Sequence, residues 1–452
     1  TLTAANKTIF FLLCACVIVS TLAYGTVHQP TIALFYFVIA GMLVIWAIDG
    51  FTGSSVKYST SLIQIPVYLA AAYAFLQIIP FGSIAETAGL SGIPRTISLA
   101  PFASEATGLH FIALGIFLSL ALTYIDSAAR LKRIAVVITI FGAVFAFFAI
   151  LQSVLSPTKI YGIFERPSPF GSFVNRHNFA AYIEMTASIP LGLLFVGAVS
   201  RDKKLLYIIG ITLMCVALLL SGSRGGFIAL LAELILLIFL TTRSHGVRKV
   251  ALRIALSLLL IGAVIVGAFF VGGETSLSRF AETAASKDIT TNRTHIWAVT
   301  LKAISGNLPF GAGLGAFAQA YTPYDDFNGL ERVEQAHNDY LQVLADAGIV
   351  GALIGLAFLF LIYRSARKGI AVHNLFRRGI AIGALSGIFA ILIHSVFDFV
   401  LHTTAISILF LTLVAMLTAA LRKYPDDESD PDNREHRKRR SSTKVAEFSP
   451  KR

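Results

Sequence analysis

The chain has 452 residues, of which 56% are apolar and only 14% charged, with a mean hydropathy of +0.75. Ordinary soluble proteins carry about 25% charged residues, so this composition excludes one. The formal net charge of +12 falls in short Lys and Arg clusters between apolar runs, a topological signal rather than a nucleic-acid-binding face.

Apolar runs of a length to cross a bilayer, about 20 residues each, recur at 7–27, 31–48, 62–79, 108–124, 134–155, 179–199, 205–220, 227–240, 250–271, 348–363, 379–397 and 403–421. These predict an all-α integral membrane protein of twelve transmembrane helices. The first run is too continuous with the second to be a cleaved signal peptide. Lys and Arg in short loops are held on the cytoplasmic side. The clusters Arg130/Lys132/Arg133, Arg201/Lys203/Lys204, Arg243/Arg248/Lys249 and Arg364/Arg367/Lys368/Arg377/Arg378 fall on alternate loops, so both termini are expected in the cytoplasm. The opposite face then carries the loops 80–107 and 156–177 and one long polar segment, 272–348. Cys14, Cys16 and Cys215 all lie within apolar runs and suggest neither a disulfide framework nor a metal site. No fixed-period repeat is visible, which argues against a solenoid. After Arg422 the chain turns acidic and then basic, the composition of a disordered tail (422–452), whose Arg437-Lys438-Arg439-Arg440 block suits anionic lipid.

Within the long polar segment, Trp297, Leu301 and Ile304 recur at helical spacing and predict an amphipathic helix over 294–305, lying on the membrane or on the bundle. The breaker-rich stretch 307–315 comes next. Its GxGxG matches a dinucleotide fingerprint only superficially, because no strand precedes it. The segment closes on His337-Asn338-Asp339-Tyr340-Leu341, ahead of an interfacial helix with Leu341 and Leu344 facing inward.

The residues with chemistry to offer concentrate on this outer face. Ser221-Gly222-Ser223-Arg224-Gly225-Gly226 joins two membrane runs, and an arginine at that depth needs an anion or a cage of carbonyls. Read functionally it is a phosphate clamp, its glycines admitting the phosphate to the backbone of a helix start. Read structurally it is an arginine reaching for lipid headgroups. Arg293, beside a helix start, carries the same alternatives, and two converging guanidinium forks would match phosphate oxygens. His337 is the candidate general base, since an imidazole takes up a proton near neutral pH without much tuning. Asn338 and Asp339 are the candidates to orient it, against the plainer reading of a loop histidine followed by a helix cap. His394, Asp398 and His402 stand at i, i+4, i+8, which on one helical face would suit a metal, a polar contact to substrate or a structural patch. Arg176 and His177, before the sixth run, are further candidate substrate contacts, and Glu184 and Glu233 lie inside membrane runs, where each needs a partner or a proton.

Ser223-Arg224-Gly225-Gly226, Arg293 with Trp297, Pro309-Phe310-Gly311-x-Gly313-x-Gly315, His337-Asn338-Asp339-Tyr340-Leu341 and Gly348-Ile349-Val350-Gly351 together resemble the O-antigen ligase and polymerase superfamily. Asn175-Arg176-His177-Asn178-Phe179 and His394-Ser395-x-x-Asp398-Phe399 add to the likeness. The resemblance implies a GT-C-like membrane glycosyltransferase with N-terminal helices over 1–204, a ligase-related core over 205–363 and C-terminal helices over 364–421. It implies a bacterial inner-membrane enzyme with a periplasmic active site. Such an enzyme moves a glycan from undecaprenyl diphosphate to an acceptor hydroxyl, with inversion and without metal or other cofactor. Carried onto matching positions, Arg224 and Arg293 hold the diphosphate and His337 activates or positions the acceptor. Arg176, His177, Asn338, Asp339, His394 and Asp398 are expected as substrate contacts. The implied partners are the lipid-linked donor, a glycan or lipid A-core acceptor and the bilayer, with no nucleic acid. Lipid A-core ligases, O-antigen or exopolysaccharide polymerases and protein O-oligosaccharyltransferases share these motifs. The sequence carries no large soluble C-terminal domain, which weighs toward a ligase or polymerase. The reading of a different class is a lipid-linked glycan transporter, whose decisive polar residues belong near the bilayer midplane.

Overall fold

The structure is a computed structural model that describes residues 3–53, 55–83, 92, 94–242, 262, 293–326 and 332–424. Its helices are α1 (Ala4–Leu22), α2 (Gln29–Thr52), α3 (Ile65–Gln77), α4 (Pro101–Tyr124), α5 (Ala128–Leu155), α6 (Arg176–Val196), α7 (Lys204–Leu220), α8 (Arg224–Thr242), α9 (Arg293–Asn307), α10 (Phe317–Tyr321), α11 (Asp339–Ile370), α12 (Leu375–His394) and α13 (Thr404–Ala419). A two-strand ribbon, β1 (Lys159–Ile160) against β2 (Phe164–Glu165), decorates the α5–α6 loop. Nine of the described helices are long and apolar enough to cross a membrane, and Leu62–Gln77 and Thr404–Ala419 are apolar but shorter. The chain is thus a mainly helical, multi-pass membrane protein. The predicted run 250–271 apart from residue 262, the cluster Arg243/Arg248/Lys249, the start of the long polar segment (272–292) and the acidic-basic tail from 425 lie outside the described residues.

At the centre stands α6, buried along nearly its whole length and packed on α12. Small residues permit that contact. A Cβ on Gly192 would come within 2.5 Å of the Gly379 carbonyl and the Gly383 backbone, and one on Gly387 within 2.5 Å of Ser188 Oγ. Gly379, Gly383 and Gly387 recur every fourth residue and line one face of α12, which lets the two backbones come into direct contact. This is where burial is deepest, and the candidate site sits on top of it.

The two ends of the bundle differ. One gathers the basic clusters. Arg130 Nη2 donates to the Asn6 carbonyl (3.3 Å), Arg377 Nε to the Ala420 carbonyl (2.9 Å) and Arg422 Nη1 to the Ile125 carbonyl (3.2 Å), tying together the starts of α1, α5 and α12 and the ends of α4 and α13. The other end collects the starts of α6, α8, α9, α11 and α13 and the end of α12. At 1.5 Å per residue the 20 residues of α12 separate the two ends by about 30 Å.

The predicted amphipathic helix is α9, but its buried face is Val299, Thr300, Ala303 and Ile304, while Leu301 is 56% exposed. The helix packs on α10 and the first turns of α11 through a face that keeps Ile304, leaves Trp297 half-buried and turns Leu301 outward. The predicted interfacial helix and the membrane run after it are one element, α11, broken at Gly348 (φ 59°, ψ −149°). Only glycine suits that conformation, and a Cβ there would collide with the Pro309 carbonyl. The glycine-rich stretch 307–315 is a buckle for this break. Ala312 N and Gly313 N donate to the Ala345 and Asp346 carbonyls (2.8 and 2.9 Å), and Ile349 N donates to the Pro309 carbonyl (2.9 Å). Gln77 Nε2 donates to the Phe310 and Asp346 carbonyls, both at 3.0 Å, joining α3 to the same knot.

Candidate active site

The site is built on one carboxylate. Asp398, in the α12–α13 loop, is 2% exposed. Its Oδ2 lies 3.0 Å from Arg293 Nη2 and 3.7 Å from His177 Nδ1, and its Oδ1 lies 3.1 Å from His337 Nδ1 and accepts from Phe399 N (3.0 Å). Burial alone would push this carboxyl up. The His337 hydrogen bond and the charges of His177 and Arg293 outweigh that and hold it well below the usual carboxylate range. Its contribution to stability is therefore fully present above the unfolded value of about 4 and is lost only as pH falls through the depressed folded one.

Each partner is fixed by its own local structure. Arg293 opens α9, and its Nη1 also donates to the Phe397 carbonyl. His177 lies in the first turn of α6, where Asn175 Oδ1 accepts its backbone N–H (2.8 Å) as an N-cap. His337 has a left-handed backbone (φ 49°), a conformation that costs a non-glycine residue free energy. It is pinned from both sides. Ala336 N donates to Gln342 Oε1 (2.7 Å), and Trp297 Nε1 donates to the Ala336 carbonyl (3.0 Å). Asn338 caps α11 by accepting from Tyr340 N and Leu341 N, while its Nδ2 donates to the Val396 carbonyl (3.0 Å). These contacts fix the backbone from which the imidazole reaches Asp398.

Arg224 begins α8 at the edge of this group. Ser223 accepts from Gly226 N at its hydroxyl (3.2 Å), capping the helix, and the same Oγ lies 3.0 Å from His177 Nδ1. A Cβ on Gly225 would meet the His394 ring at 2.9 Å and Phe397 Cβ at 3.2 Å, and one on Gly226 would meet Ala180 at 2.7 Å. These two glycines thus permit close packing against the bundle. Gly222 (φ +68°) turns the chain beside Arg176, whose Nη1 would lie 3.7 Å from a Cβ there. Arg176, His177, Arg224, Arg293 and His337 therefore gather at one end of the bundle, all half-buried.

The other expected substrate contacts have a different place. Asn338, Asp339, His394 and Asp398 are buried and hold protein partners. Asp339, expected to orient His337, does not touch it. Its Oδ2 accepts from Ser395 Oγ (2.8 Å), Val400 N (3.2 Å) and Leu401 N (3.3 Å), and its Oδ1 lies 3.1 Å from His402 Nδ1. The orienting carboxylate is Asp398, 61 residues further on. His394, Asp398 and His402 do not share a helical face, because α12 ends at His394. His394 Nδ1 faces the Glu184 carboxylate (3.2 and 3.1 Å) inside the bundle, and Ser386 Oγ donates to Glu233 (3.2 Å), which names the partners of both intramembrane acids. One described group, His295 with Asp325 and Asp326, has ligand atoms within 4.8 Å of one another. It lies on α9 and the loop after α10, and Lys302 Nζ is 3.4 Å from Asp326.

Ser223, Ser395 and Phe399 stand in the quoted motifs without a role assigned to them, because the contacts of Ser223 with His177, Ser395 with Asp339 and Phe399 with His337 join distant segments. Gln342, buried behind the start of α11, has no role assigned from the sequence.

Fold and site define a multi-pass membrane protein whose polar residues converge at one end of the helix bundle. Residues 209–356 match the family model described as O-Antigen ligase, which places this stretch in the O-antigen ligase superfamily. The matched stretch supplies Arg224, Arg293 and His337, while His177 and Asp398 join them from outside it. No curated protein matches the chain.

Proposed function

We propose that the protein is a membrane glycosyltransferase that moves a glycan from undecaprenyl diphosphate to an acceptor hydroxyl, in the manner of an O-antigen ligase. The observation that carries this reading is the shared, buried carboxylate of Asp398, which joins the His337 imidazole to the Arg293 guanidinium beside the Arg224 turn.

A carboxylate only accepts hydrogen bonds, so the proton on His337 Nδ1 points to Asp398 and Nε2 keeps its lone pair. Nε2 takes the proton of the acceptor hydroxyl as that oxygen bonds to the anomeric carbon. The bond from the anomeric carbon to the diphosphate oxygen breaks, and its electron pair leaves with the diphosphate. Arg224 and Arg293 supply fixed positive charge where that negative charge grows, which is the kind of preorganisation that lowers a barrier most. Attack from the face opposite the leaving group inverts the anomeric centre. The basic end of the bundle lies some 20 α12 residues away. The positive-inside rule assigns that end to the cytoplasm and the site to the periplasmic face of a bacterial inner membrane.

The test is transfer by purified protein in lipid nanodiscs, with an undecaprenyl-diphosphate-linked glycan as donor. His337→Ala and Arg224→Ala should each lower transfer by about 10²–10⁴-fold while the protein stays folded. Near-normal transfer by either variant overturns its role. The acceptor class is read in the native host after deletion of the gene. Unattached lipid-linked glycan marks a ligase, and surface glycans cut to single repeats mark a polymerase.

A further inference from the structure

The loops that form the site cross twice. His337 of the first loop meets Asp398 of the second, and His402 of the second meets Asp339 at the start of α11. The second dyad has no part in the proposed transfer chemistry, yet it is built with the same care. Asp339 is nearly buried, and Ser395 Oγ and two backbone N–H groups hold its carboxylate before His402 adds its own contact. The His402 side chain is 42% exposed. With Nδ1 turned to a carboxylate that only accepts, Nε2 is the nitrogen left facing outward. An imidazole that merely meets solvent has no need of a buried, four-times-coordinated carboxylate to aim it.

The contacts also order the site. Asp398 Oδ2 faces Arg293 and His177, its Oδ1 faces His337 and Phe399 N, and the next two backbone N–H groups, of Val400 and Leu401, face Asp339. The Phe399 ring packs edge-on against His337, with centroids 4.9 Å apart. Beyond His402, His110 of α4 lies within electrostatic reach, and its Nδ1 is 3.1 Å from the Tyr36 hydroxyl of α2. One side of the site carries the Arg293 guanidinium, and the other offers the His402 imidazole and the Phe399 ring. A diphosphate is drawn to the first. A hydroxyl-rich, uncharged ligand suits the second, where hydrogen bonds can be made without a charge to neutralise. In an in-line displacement the acceptor enters from the side away from the leaving group, so the base and the acceptor subsite belong together.

We infer that His402, aimed by Asp339, forms a saccharide-binding subsite that holds the acceptor glycan next to His337. The inference rests on the proposed transfer reaction, and two measurements separate the fates of the two. The first is steady-state transfer in nanodiscs by wild type, His402→Ala and His402→Gln, varying donor and acceptor in turn. His402→Ala should raise the acceptor KM at least tenfold, with donor KM and kcat within twofold of wild type. His402→Gln, which keeps a donor toward Asp339 and a polar end outward, should recover part of the loss. A higher donor KM, a fall in kcat alone, or unchanged constants overturns the subsite. The second is direct binding of a defined oligosaccharide of the host surface glycan to the full chain, without donor. Binding that survives His337→Ala and is lost in His402→Ala supports the subsite even if the transfer reading fails. Absence of binding by wild type, or binding indifferent to His402, overturns it even if transfer is confirmed.

Discussion

Two buried carboxylates, one at each end of the bundle, organise polar clusters of similar make-up and opposite character. At the basic end, Asp49 accepts from Thr3, from Asn6 Nδ2 (3.2 Å) and from Tyr124 OH (2.8 Å). Arg130 closes the group by donating to the Tyr124 carbonyl (3.0 Å) and to Asn6. Asn6, Asp49, Tyr124 and Arg130 are all buried, with Thr3 and Asp126, the ion-pair partner of Arg130 (3.2 Å), at the rim, and the cluster clamps α1, α2, α4 and α5. At the other end Asp398 is as deeply buried, but the side chains it holds stay partly open, with His337 32% exposed, His177 22% and Arg293 20%. A satisfied network that faces only itself is a fastening. One that fixes its members from beneath and leaves their far sides to solvent is a site waiting for something to bind.

That contrast can be broken by experiment. The largest effect should come from Asp398→Asn. The amide no longer only accepts, so it does not dictate which His337 nitrogen keeps the lone pair, and it removes the charge that holds Arg293. Transfer should fall about 10²–10⁴-fold, measured with the lipid-linked donor, in a protein that still elutes as a folded particle. Arg130→Ala should do the reverse. Leaving buried Asn6 and the Tyr124 carbonyl without their donor, and Asp126 without its ion pair, should cost about 1–3 kcal/mol of stability, read as a lower thermal midpoint in detergent. Activity per folded molecule should hold, and a variant that folds normally without transferring would assign the basic-end cluster to chemistry. The smallest effect should come from Glu233→Gln. Glu233 Oε1 accepts from Ser386, which a glutamine carbonyl also does, so transfer should stay within about twofold. A large loss would favour a transporter, in which intramembrane acids carry the function.

What was legible in the sequence was what is encoded locally. Run lengths and clustered Lys and Arg marked the helices and the two ends, whereas the spacing of Gly379, Gly383 and Gly387 acquires its meaning only in the crossing with α6. Arg224, Arg293 and His337 stood out because each has cap or breaker residues beside it. What holds them together did not. The spacing of His394, Asp398 and His402 suggested one helical face, but α12 stops at His394 and the three side chains take different partners, Glu184, His337 and Asp339. Asp339, a neighbour of His337 in sequence, serves His402, while Asp398, distant in sequence, serves His337. A left-handed residue at 337 turns its side chain away from the residues after it, and no periodicity reports where such a side chain lands. Leu301 shows the same limit on a smaller scale, since its exposure depends on α9 docking against α11.

The central claim is that His337 and Asp398 act as one unit, and a double-mutant cycle on transfer tests it most directly. Single variants His337→Ala and Asp398→Asn and the double variant would be compared under saturating donor and acceptor. If Asp398 works through His337, the double variant loses no more than about the worse single, because the second change removes a function already gone. Losses that multiply across the two singles would contradict it and make Asp398 a contributor independent of the imidazole it touches.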